Sequence, residues 1–547
     1  MRLVGLGWGL PSSDGWDDDG IAPRDFLVGV VRTYQPGQYF TYPPLHLLLL
    51  TLLTSPGWIL GLLRARSLAQ ADLVAELTQV PYMTFFSVVA RLVSIAMSVG
   101  TVAWVGKMTE EFAGRRAGLC AAAVCALNAT LTYYGQVTNL DGPYLFWATL
   151  AVWQWMRAIA RREPRRLAWA AAPTVVAVAT MDEAYAVFLL SLPLTLVLWL
   201  IADDWPRRHL RQILVPLGIG IAASALFLLA VDGALTNPAG FRARIEFLLG
   251  PASQDFIYYR KDWGGRARLL TDAWSYVPRY YPVAAVYLGL GGLSLHTWRR
   301  RAEPALWTAG FLPAFAALSY TLTFTLIVLR TENRFLLPQS VFLAVYIGLA
   351  ADALVFAGHA AVRWAARLAL APLAAAALYP CLSLDAVLLG DPRYDAERWL
   401  RAHVRPGDSI EIYGGNTQLP RFPPDAAVTR VAPKPVRGRS PLAGVIEVEA
   451  PYEDIAARRP RFIVVSDFLL DWYLSPGEAG DGNGRVNTPI QQAYLGQAAA
   501  RTYFRALVGG QLPYVLAYRA AFASKFWQAV EIHESTAEPI RIYERNR

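Results

Sequence analysis

The sequence has few cysteines and few histidines. Its three cysteines, Cys120, Cys125 and Cys381, form neither a CxxC site nor a disulfide framework, and they are predicted to pack between helices. Its six histidines are scattered, and no two have the HxxxH spacing that places two metal ligands on one helix face. The sequence therefore predicts no metal site, and it leaves open whether a divalent cation assists the reaction.

Charged residues are also scarce. They make up 17% of the 547 residues, against 55% hydrophobic residues, and the mean hydropathy is +0.30. A chain this long and this apolar does not fit one soluble domain, so a polytopic α-helical membrane protein is predicted. The formal net charge of +9 raises the question of nucleic-acid binding, but basic residues also fix membrane topology.

Apolar stretches near the length that crosses a bilayer as a helix predict about ten transmembrane helices. They are residues 82–106, 117–137, 141–158, 167–182, 184–201, 212–231, 280–297, 305–329, 336–357 and 364–388.

Alternate loops between these stretches contain most of the short-loop Lys and Arg. They are "GKMTEEFAGRR", "RAIARREPRR", "DDWPRRHLRQ", "TWRRR" and "GHAAVRWAAR". The positive-inside rule places them in the cytoplasm, so the basic excess is a topology signal and no nucleic-acid partner is expected. The other loops then share the extracytoplasmic face of a cell membrane.

The topology divides the chain into three predicted regions. Residues 1–81 form an outer acidic loop with an interfacial or re-entrant helix at 44–63, broken at Ser55-Pro56-Gly57. Residues 82–390 form the helical membrane domain, whose outer loop 232–279 mixes aromatic and basic residues, as an interfacial helix does.

The third region is residues 391–547. It shows an amphipathic helix and strand-like runs separated by Pro/Gly-rich loops, and it predicts a soluble extracytoplasmic α/β domain. At the other end, "MRLVGLGWGLP" looks like the last turns of a helix whose beginning is absent, and no secretory signal peptide is recognisable.

Carboxylates at two places are candidates for chemistry, because a carboxylate beside a bilayer is costly unless it is solvated, paired or functional. Asp17, Asp18 and Asp19 stand together in "GWDDDGIAPRDF". On the residues alone, a solvated loop or a helix cap explains this run better than a site does. Asp141 in "TNLDGPYLFW" precedes a proline, and N-capping of the next helix explains it as well as catalysis does.

Two further segments bring polar side chains to the outer membrane edge. In "YFTYPPLHLLLL", Tyr42 precedes two prolines that fix an extended helix entry, and His46 follows within a turn. "RTENRFLLP" contains Arg330 and Arg334. An arginine there either snorkels to the interface or holds a lipid phosphate, for which a guanidinium is suited.

In this order, the motifs resemble those of the GT-C membrane glycosyltransferases, in the branch of the protein O-mannosyltransferases and aminoarabinose transferases. "GWDDDG" stands where that family has an acidic motif after its first span, and "YFTYPPLHLL" resembles its Pro-Pro helix entry, with Tyr42 in place of a frequent lysine. "NLDGPYLFW" resembles the segment with its second acidic residue, at Asp141. "ENRFLLP" is similar to its Arg-Tyr-x-x-Pro segment near the donor phosphate, at Arg334.

The resemblance implies inverting transfer of a sugar from a polyprenyl-phosphate donor to a hydroxyl of a lipid, glycan or protein. An Asp of 17–19 is expected to be the base, and Asp141 to orient the acceptor or the base. Arg334 and Arg330 are expected to hold the phosphate, with Tyr42 and His46 beside the donor. The main alternative is a transporter or flippase with charges along its path, for which only Asp182 and Glu183 are available. A glycan polymerase fits less well.

Overall fold

The computed structural model describes residues 1–433, 444–474, 493–494, 496–528, 533 and 536–546. Contacts between Cα atoms divide the chain into two compact units. The first unit consists of Met1–Leu3, Asp25–Leu53 and Val89–Leu382. The second unit consists of Val4–Arg24, Thr54–Val88 and Ser383–Arg547.

The first unit is helical throughout its regular structure. Its α-helices are Asp25–Tyr34, Pro44–Leu53, Val80–Ala113 (which begins in the second unit), Arg115–Ala126, Ala129–Tyr134, Asp141–Ala160, Arg165–Thr180, Tyr185–Phe188, Ser191–Ala202, Asp204–Arg208, Leu210–Val231, Pro238–Leu249, Pro251–Gln254, Trp263–Ser275, Val283–Arg300, Pro304–Ala309, Leu312–Tyr320, Leu326–Val328, Leu337–Val355 and Ala360–Leu389 (which ends in the second unit).

The predicted helical membrane fold is confirmed, whereas the number of spans stays a prediction. Among the described residues, six helical segments are long and apolar enough to cross a membrane, and a seventh is formed if a bent pair counts as one span. The other four predicted stretches form helices that are shorter or less apolar. They are Arg115–Ala126, Asp141–Ala160, Arg165–Thr180 and Val283–Arg300.

The bent pair lies where the sequence predicts a broken helix. Helix Pro44–Leu53 ends before Thr54, helix Ser55–Arg64 begins after it, and the two make an angle of 64°. Pro56 stands in the first turn of the second helix, where its missing N–H costs no hydrogen bond. The break is therefore one residue earlier than predicted, and a re-entrant role for this segment remains a prediction.

Helices of the first unit approach closely at glycines. A Cβ atom at Gly348 would lie 2.3 Å from the backbone of Ala121, and one at Gly292 would lie 2.0 Å from the carbonyl oxygen of Tyr346. Small residues at such crossings allow the dense packing that holds helices together where no hydrophobic effect acts between them. These contacts fix the helix Leu337–Val355, which follows directly after the Arg334 segment.

Loops that the positive-inside rule assigns to one side contact one another. Arg161 Nε lies 2.6 Å from Glu111, and Arg162 donates two hydrogen bonds of 3.0 and 3.1 Å from Nη2 to the carboxylate of Asp203. Three of the basic loops therefore meet at one end of the helices.

Loops assigned to the opposite side also meet. Arg244, which is buried, donates from Nη2 to both oxygens of Asp182 at 2.6 and 2.8 Å, and its Nη1 lies 3.6 Å from Asp232. The side-chain amide of Asn237 donates to three carbonyls after the helix Asp25–Tyr34 or at its end, at 2.8–3.0 Å. The 232–249 segment is thereby tied to the start of the chain.

The outer loop 232–279 forms three α-helices. Not all of its aromatic side chains are exposed, as they would be in a helix that lies in the membrane interface. Trp263 is 86% exposed, as an interfacial side chain should be, but Tyr259 is buried. The hydroxyl of Tyr259 donates to Asp272 at 2.8 Å, and its ring packs against Leu329. An interfacial position of the exposed part stays a prediction.

The second unit contains a six-stranded sheet, which confirms the predicted C-terminal α/β region. Its strands are β1 (Ser409–Ile412), β2 (Ala427–Ala432), β3 (Val445–Glu449), β4 (Phe462–Ser466), β5 (Tyr514–Ala520) and β6 (Ile540–Arg545), and its helices are Ser55–Arg64, Gln70–Leu77, Pro392–His403, Ile455–Arg458, Asp467–Leu474 and Ala498–Val508.

The sheet order is β3-β2-β1-β4-β6-β5. The first four strands are parallel and the last two pair antiparallel. All five residues of β4 are buried because apolar clusters cover both faces of the sheet. The strand order reverses between β1 and β4, because β2 and β3 extend the sheet from one side of β1 and β4 pairs with its other side.

Candidate active site

The acidic segment lies in the second unit, against the turn that follows β1. Asp14 accepts a hydrogen bond from the side chain of Asn416, and Asp18 accepts one from Thr417. An oxygen of Asp19 lies 3.0 Å from Nε2 of His533. The sequence predicts an acidic loop here, and its attachment to residues about 400 positions away is seen only in the structure.

A buried ion pair holds this attachment. Arg393 donates from Nε and Nη2 to the two oxygens of Asp391 at 2.8 and 2.6 Å, and both side chains are almost completely buried. The Arg393 guanidinium lies 5.3 Å from the ring of Trp8 and 4.5 Å from that of Trp16, distances typical of cation–π contacts. Its Nη1 donates to the carbonyl of Thr417. Arg393 therefore contacts both the segment that contains the aspartates and the turn that follows β1.

A second arginine supports the same segment. Arg421 donates two hydrogen bonds of 2.6 Å to Glu397 and one of 2.7 Å to the carbonyl of Leu10. The hydroxyl of Tyr394 accepts from the N–H of Gly9 at 3.1 Å, and burial raises the pKa of Tyr394. Gly9 has φ +70°, and a Cβ there would lie 2.8 Å from the Trp16 ring, so only glycine fits.

The three neighbouring aspartates have different surroundings. Asp17 is 5% exposed and buried, Asp18 is exposed, and Asp19 is intermediate. A carboxylate withdrawn from water is the one whose proton affinity its surroundings can change most. Burial therefore distinguishes Asp17 from Asp18 and Asp19, which the sequence alone does not separate.

Asp141 lies in the first turn of the helix Asp141–Ala160 and is buried in the first unit. The N-cap residue of this helix is Leu140, and no side chain caps it at that position. The side-chain oxygen of Asn139 accepts the hydrogen bond from the Asp141 N–H at 2.7 Å. The capping interpretation of the Asp141 carboxylate is therefore not supported, because Asn139 bonds the first-turn N–H.

Two arginines share one glutamate in the turn before the helix Leu337–Val355. Arg330 donates from Nε and Nη2 to Oε1 of Glu332 at 2.8 and 2.6 Å, and Arg334 Nε lies 3.4 Å from Oε2. Both arginine side chains are 15% exposed. Glu332 thus orients both guanidinium groups.

The backbone leading to this turn is irregular. A π-helix at Thr321–Thr325 follows the helix Leu312–Tyr320, and Leu329, a non-glycine residue, has φ +54°. π-helical turns and left-handed non-glycine residues concentrate at functional sites. The sequence pattern gave no sign of either feature.

Aromatic rings cover the arginine turn. The Arg330 guanidinium lies 4.9 Å from the ring centroids of Phe256 and Phe335, and that of Arg334 lies 4.8 Å from Phe335. The N–H of Tyr258 donates to the carbonyl of Leu329 at 3.2 Å, which joins the outer loop to the turn. The guanidinium groups are therefore held from several sides in fixed planes.

Another carboxylate, that of Glu183, lies beside the two arginines. The sequence did not identify Glu183 as part of a transferase site. Glu183 is 5% exposed and interacts electrostatically with Arg334 and Arg330. It also lies within reach of the hydroxyls of Tyr144 and Tyr320, which in turn interact with Asp141. Tyr144 follows Asp141 by one helical turn, which is the only sequence signal for this cluster.

The remaining predicted donor residues lie in the first unit. His46 is buried in the helix Pro44–Leu53, and Tyr42 is partly buried, with its ring 6.2 Å from that of Phe40.

The predicted residues thus divide between the two units. Asp17, Asp18 and Asp19 belong to the second unit. Those of the first unit are Tyr42, His46, Asp141, Arg330 and Arg334. Among the described residues, no group of three or more His, Cys, Asp or Glu side chains is placed to hold a metal ion.

Residues 79–231 match the family model of dolichyl-phosphate-mannose-protein mannosyltransferase. The predicted resemblance is confirmed. With it, the predicted enzyme class, a membrane glycosyltransferase of the GT-C type, is confirmed. The matched range includes Asp141 and Glu183, whereas the acidic segment and the arginine turn lie outside it. No curated protein sequence matches this chain significantly.

Solved structures similar to this chain include ArnT from Cupriavidus metallidurans in the apo state, with 13% identity and a TM-score of 0.49, covering 99% of this chain and 96% of that one. The same enzyme bound to undecaprenyl phosphate has a TM-score of 0.48, with the same identity and coverage. The oligosaccharyltransferase of Archaeoglobus fulgidus, in complex with Zn and sulfate, is 13% identical with a TM-score of 0.44, covering 100% of this chain and 88% of that one.

Replacing Arg393 by Met is expected to lower the free energy of unfolding by about 3–5 kcal/mol, because Asp391 is then buried without its counter-charge. The measurement is thermal or denaturant unfolding of the purified chain in detergent. Arg398→Met is the control, since Arg398 pairs with Asp395 at the exposed surface of the same helix and should cost no more than about 1 kcal/mol. Equal effects of the two variants would contradict a stabilising role for the buried pair.

Proposed function

We propose that this protein transfers a sugar, with inversion, from a polyprenyl-phosphate donor to a hydroxyl acceptor at the extracytoplasmic face of a membrane. The observation that carries the proposal is the pair of arginines held by Glu332 beside buried carboxylates, in a chain whose 79–231 segment matches a mannosyltransferase family. Two of the similar solved enzymes are described as bound to undecaprenyl phosphate or dolichol-phosphate, which is the donor class proposed here.

The donor phosphate is proposed to lie against Arg334 and Arg330, with its polyprenyl tail among the helices and Tyr42 and His46 beside it. A guanidinium offers two parallel N–H donors to a phosphate, and the contacts with Glu332 and Phe335 hold that fork in place. As the bond from the anomeric carbon to the phosphate oxygen breaks, the phosphate keeps the electron pair, and the arginines stabilise its added charge.

The acceptor hydroxyl is proposed to attack the anomeric carbon while a carboxylate of the acidic segment takes its proton. We favour Asp17 as this base, because it is the buried member of the three. Asp141 is proposed to orient the acceptor or the base. One displacement at the anomeric carbon inverts its configuration.

The orientation rests on the arginine-rich loops, whose contacts group them at one end of the helices. We propose that this end is cytoplasmic and that the site, the 1–81 region and residues 391–547 are extracytoplasmic, with 82–390 as the membrane domain.

Transfer and transport are separated by following a radiolabelled sugar. Membranes containing the protein and a labelled polyprenyl-phosphate sugar should form a new labelled product. Label that crosses the bilayer and stays on the polyprenyl carrier would support the transporter alternative instead.

Asp17→Asn is expected to reduce transfer by about 10²–10⁴-fold, because the amide keeps the shape of the side chain but cannot accept the proton. Asp18→Asn should cost much less, and it is the matched control in the same segment. The measurement is transfer rate at saturating donor and acceptor, at equal amounts of inserted protein. Near-normal turnover of Asp17→Asn would place the base elsewhere.

Arg334→Lys is expected to weaken donor binding, because lysine provides one charged point in place of a planar fork. The donor concentration for half-maximal transfer should rise while the acceptor dependence changes little. Arg300→Lys, at an ion pair with Glu303, should leave both unchanged. A snorkelling arginine would tolerate lysine, so an unaltered donor dependence in Arg334→Lys would remove this residue from the phosphate site.

In a cysteine-free variant, single cysteines within 15–26 are expected to react with a membrane-impermeant thiol reagent added outside intact cells. Cysteines within 161–166 should react only after the membrane is opened, because that loop is assigned to the cytoplasm. The reverse pattern would overturn the proposed orientation.

A further inference from the structure

Three polar side chains of the first unit converge in a buried cluster that the proposed steps do not use. Glu183 is 5% exposed, and Tyr144 and Tyr320 are 0% exposed. They come from the turn Asp182–Ala184, the helix Asp141–Ala160 and the end of the helix Leu312–Tyr320, and each interacts electrostatically with the other two. Burial of three such groups together is costly unless something compensates it.

The cluster retains unused hydrogen-bonding capacity. Within the described part of the chain, Oε1 of Glu183 and the hydroxyl oxygens of Tyr144 and Tyr320 are buried and make no hydrogen bond of standard geometry, although the three groups lie close enough to interact with one another. Buried polar groups in folded proteins are almost always satisfied, so those that are not call for an explanation, such as a bound molecule. Three such groups in one cluster are therefore candidates to bind a polar ligand.

The position of the cluster identifies which part of a ligand it would face. Glu183 interacts with Arg334 and Arg330, the proposed phosphate residues, and both tyrosines interact with Asp141. Tyr320 is also joined to the arginine turn by ring contacts through Phe324, at centroid distances of 5.1 and 5.3 Å to Tyr320 and Phe335. A group attached directly to the donor phosphate therefore reaches this cluster first.

We propose that Glu183, Tyr144 and Tyr320 bind the glycosyl group of the donor through its free hydroxyls. A carboxylate accepts hydrogen bonds from hydroxyls, and a phenol both donates and accepts them. The neighbouring arginines already supply the counter-charge of Glu183, so what remains is hydrogen-bonding capacity suited to a neutral sugar. This assignment rests on the proposed function and adds the part of the site that distinguishes a glycosylated donor from the bare lipid phosphate.

The test compares binding of two probes to the full-length protein in nanodiscs: undecaprenyl phosphate, and undecaprenyl-phosphate hexoses such as the mannose form. Wild type should bind at least one hexose form more tightly than the bare phosphate. Glu183→Gln should reduce that difference by about tenfold or more, the usual effect of losing a hydrogen bond to a charged group, and Tyr144→Phe by about two- to tenfold, because its hydroxyl is neutral. Their affinity for undecaprenyl phosphate should change by less than about twofold, well under that effect.

Two variants serve as controls. Arg334→Lys should weaken binding of both probes equally. Tyr346→Phe removes a buried hydroxyl of the same unit that already donates to the Gly310 carbonyl at 2.7 Å, and it should leave the preference for the glycosylated probe intact. A Tyr346→Phe variant that lost this preference would show a general packing effect and overturn the assignment.

Three other results would overturn the sugar assignment or the proposed function. If Glu183→Gln weakens both probes in parallel, Glu183 only positions the arginines and the sugar assignment is wrong. If wild type binds undecaprenyl phosphate but prefers no hexose form, the assignment is wrong while the proposed function stands. If wild type binds neither probe, the proposed function itself fails.

Discussion

Charge pairing in apolar surroundings is the constraint on which the candidate site depends. A lone charge withdrawn from water is too costly to persist, and the arginines of both candidate segments have carboxylate partners. Glu332 orients Arg330 and Arg334 in the first unit, and Asp391 holds Arg393 in the second. The same pairs therefore satisfy electrostatics and fix the geometry of the groups that the proposed chemistry uses.

Local patterns in the sequence predicted the parts of this molecule but not their assembly. The apolar stretches predicted the helices, the strand runs predicted the sheet region, and the motif order predicted the family resemblance that the 79–231 match confirms. Asp141 and Arg334 were identified because the segments "NLDGPYLFW" and "ENRFLLP" resemble two motifs of the family. Glu183 was considered only for a transporter, because its proximity to Tyr144 and Tyr320 joins residues far apart in the chain, and no periodicity encodes that proximity.

Backbone irregularity explains part of what the sequence could not predict. The helix pattern over 305–329 is uniformly apolar, yet the structure inserts a π-helical turn and a left-handed residue before Arg330. An extra residue in a helical turn rotates the side chains that follow it, so the direction of the arginine cannot be derived from a 3.6-residue period. The conformation costs local stability, and it is maintained because the surrounding contacts of the turn over-determine it.

The attachment of the acidic segment to the turn after β1 has a consequence for the sheet. In open α/β sheets, ligands usually bind beside the carboxyl ends of the strands, where strand order reverses, and here that position is between β1 and β4. Asn416 and Thr417 follow β1 and are hydrogen-bonded to the chain's own Asp14 and Asp18. The acidic segment therefore lies against the carboxyl end of β1 within the second unit. A small molecule binding at that end of β1 would have to displace the segment that contains Asp17.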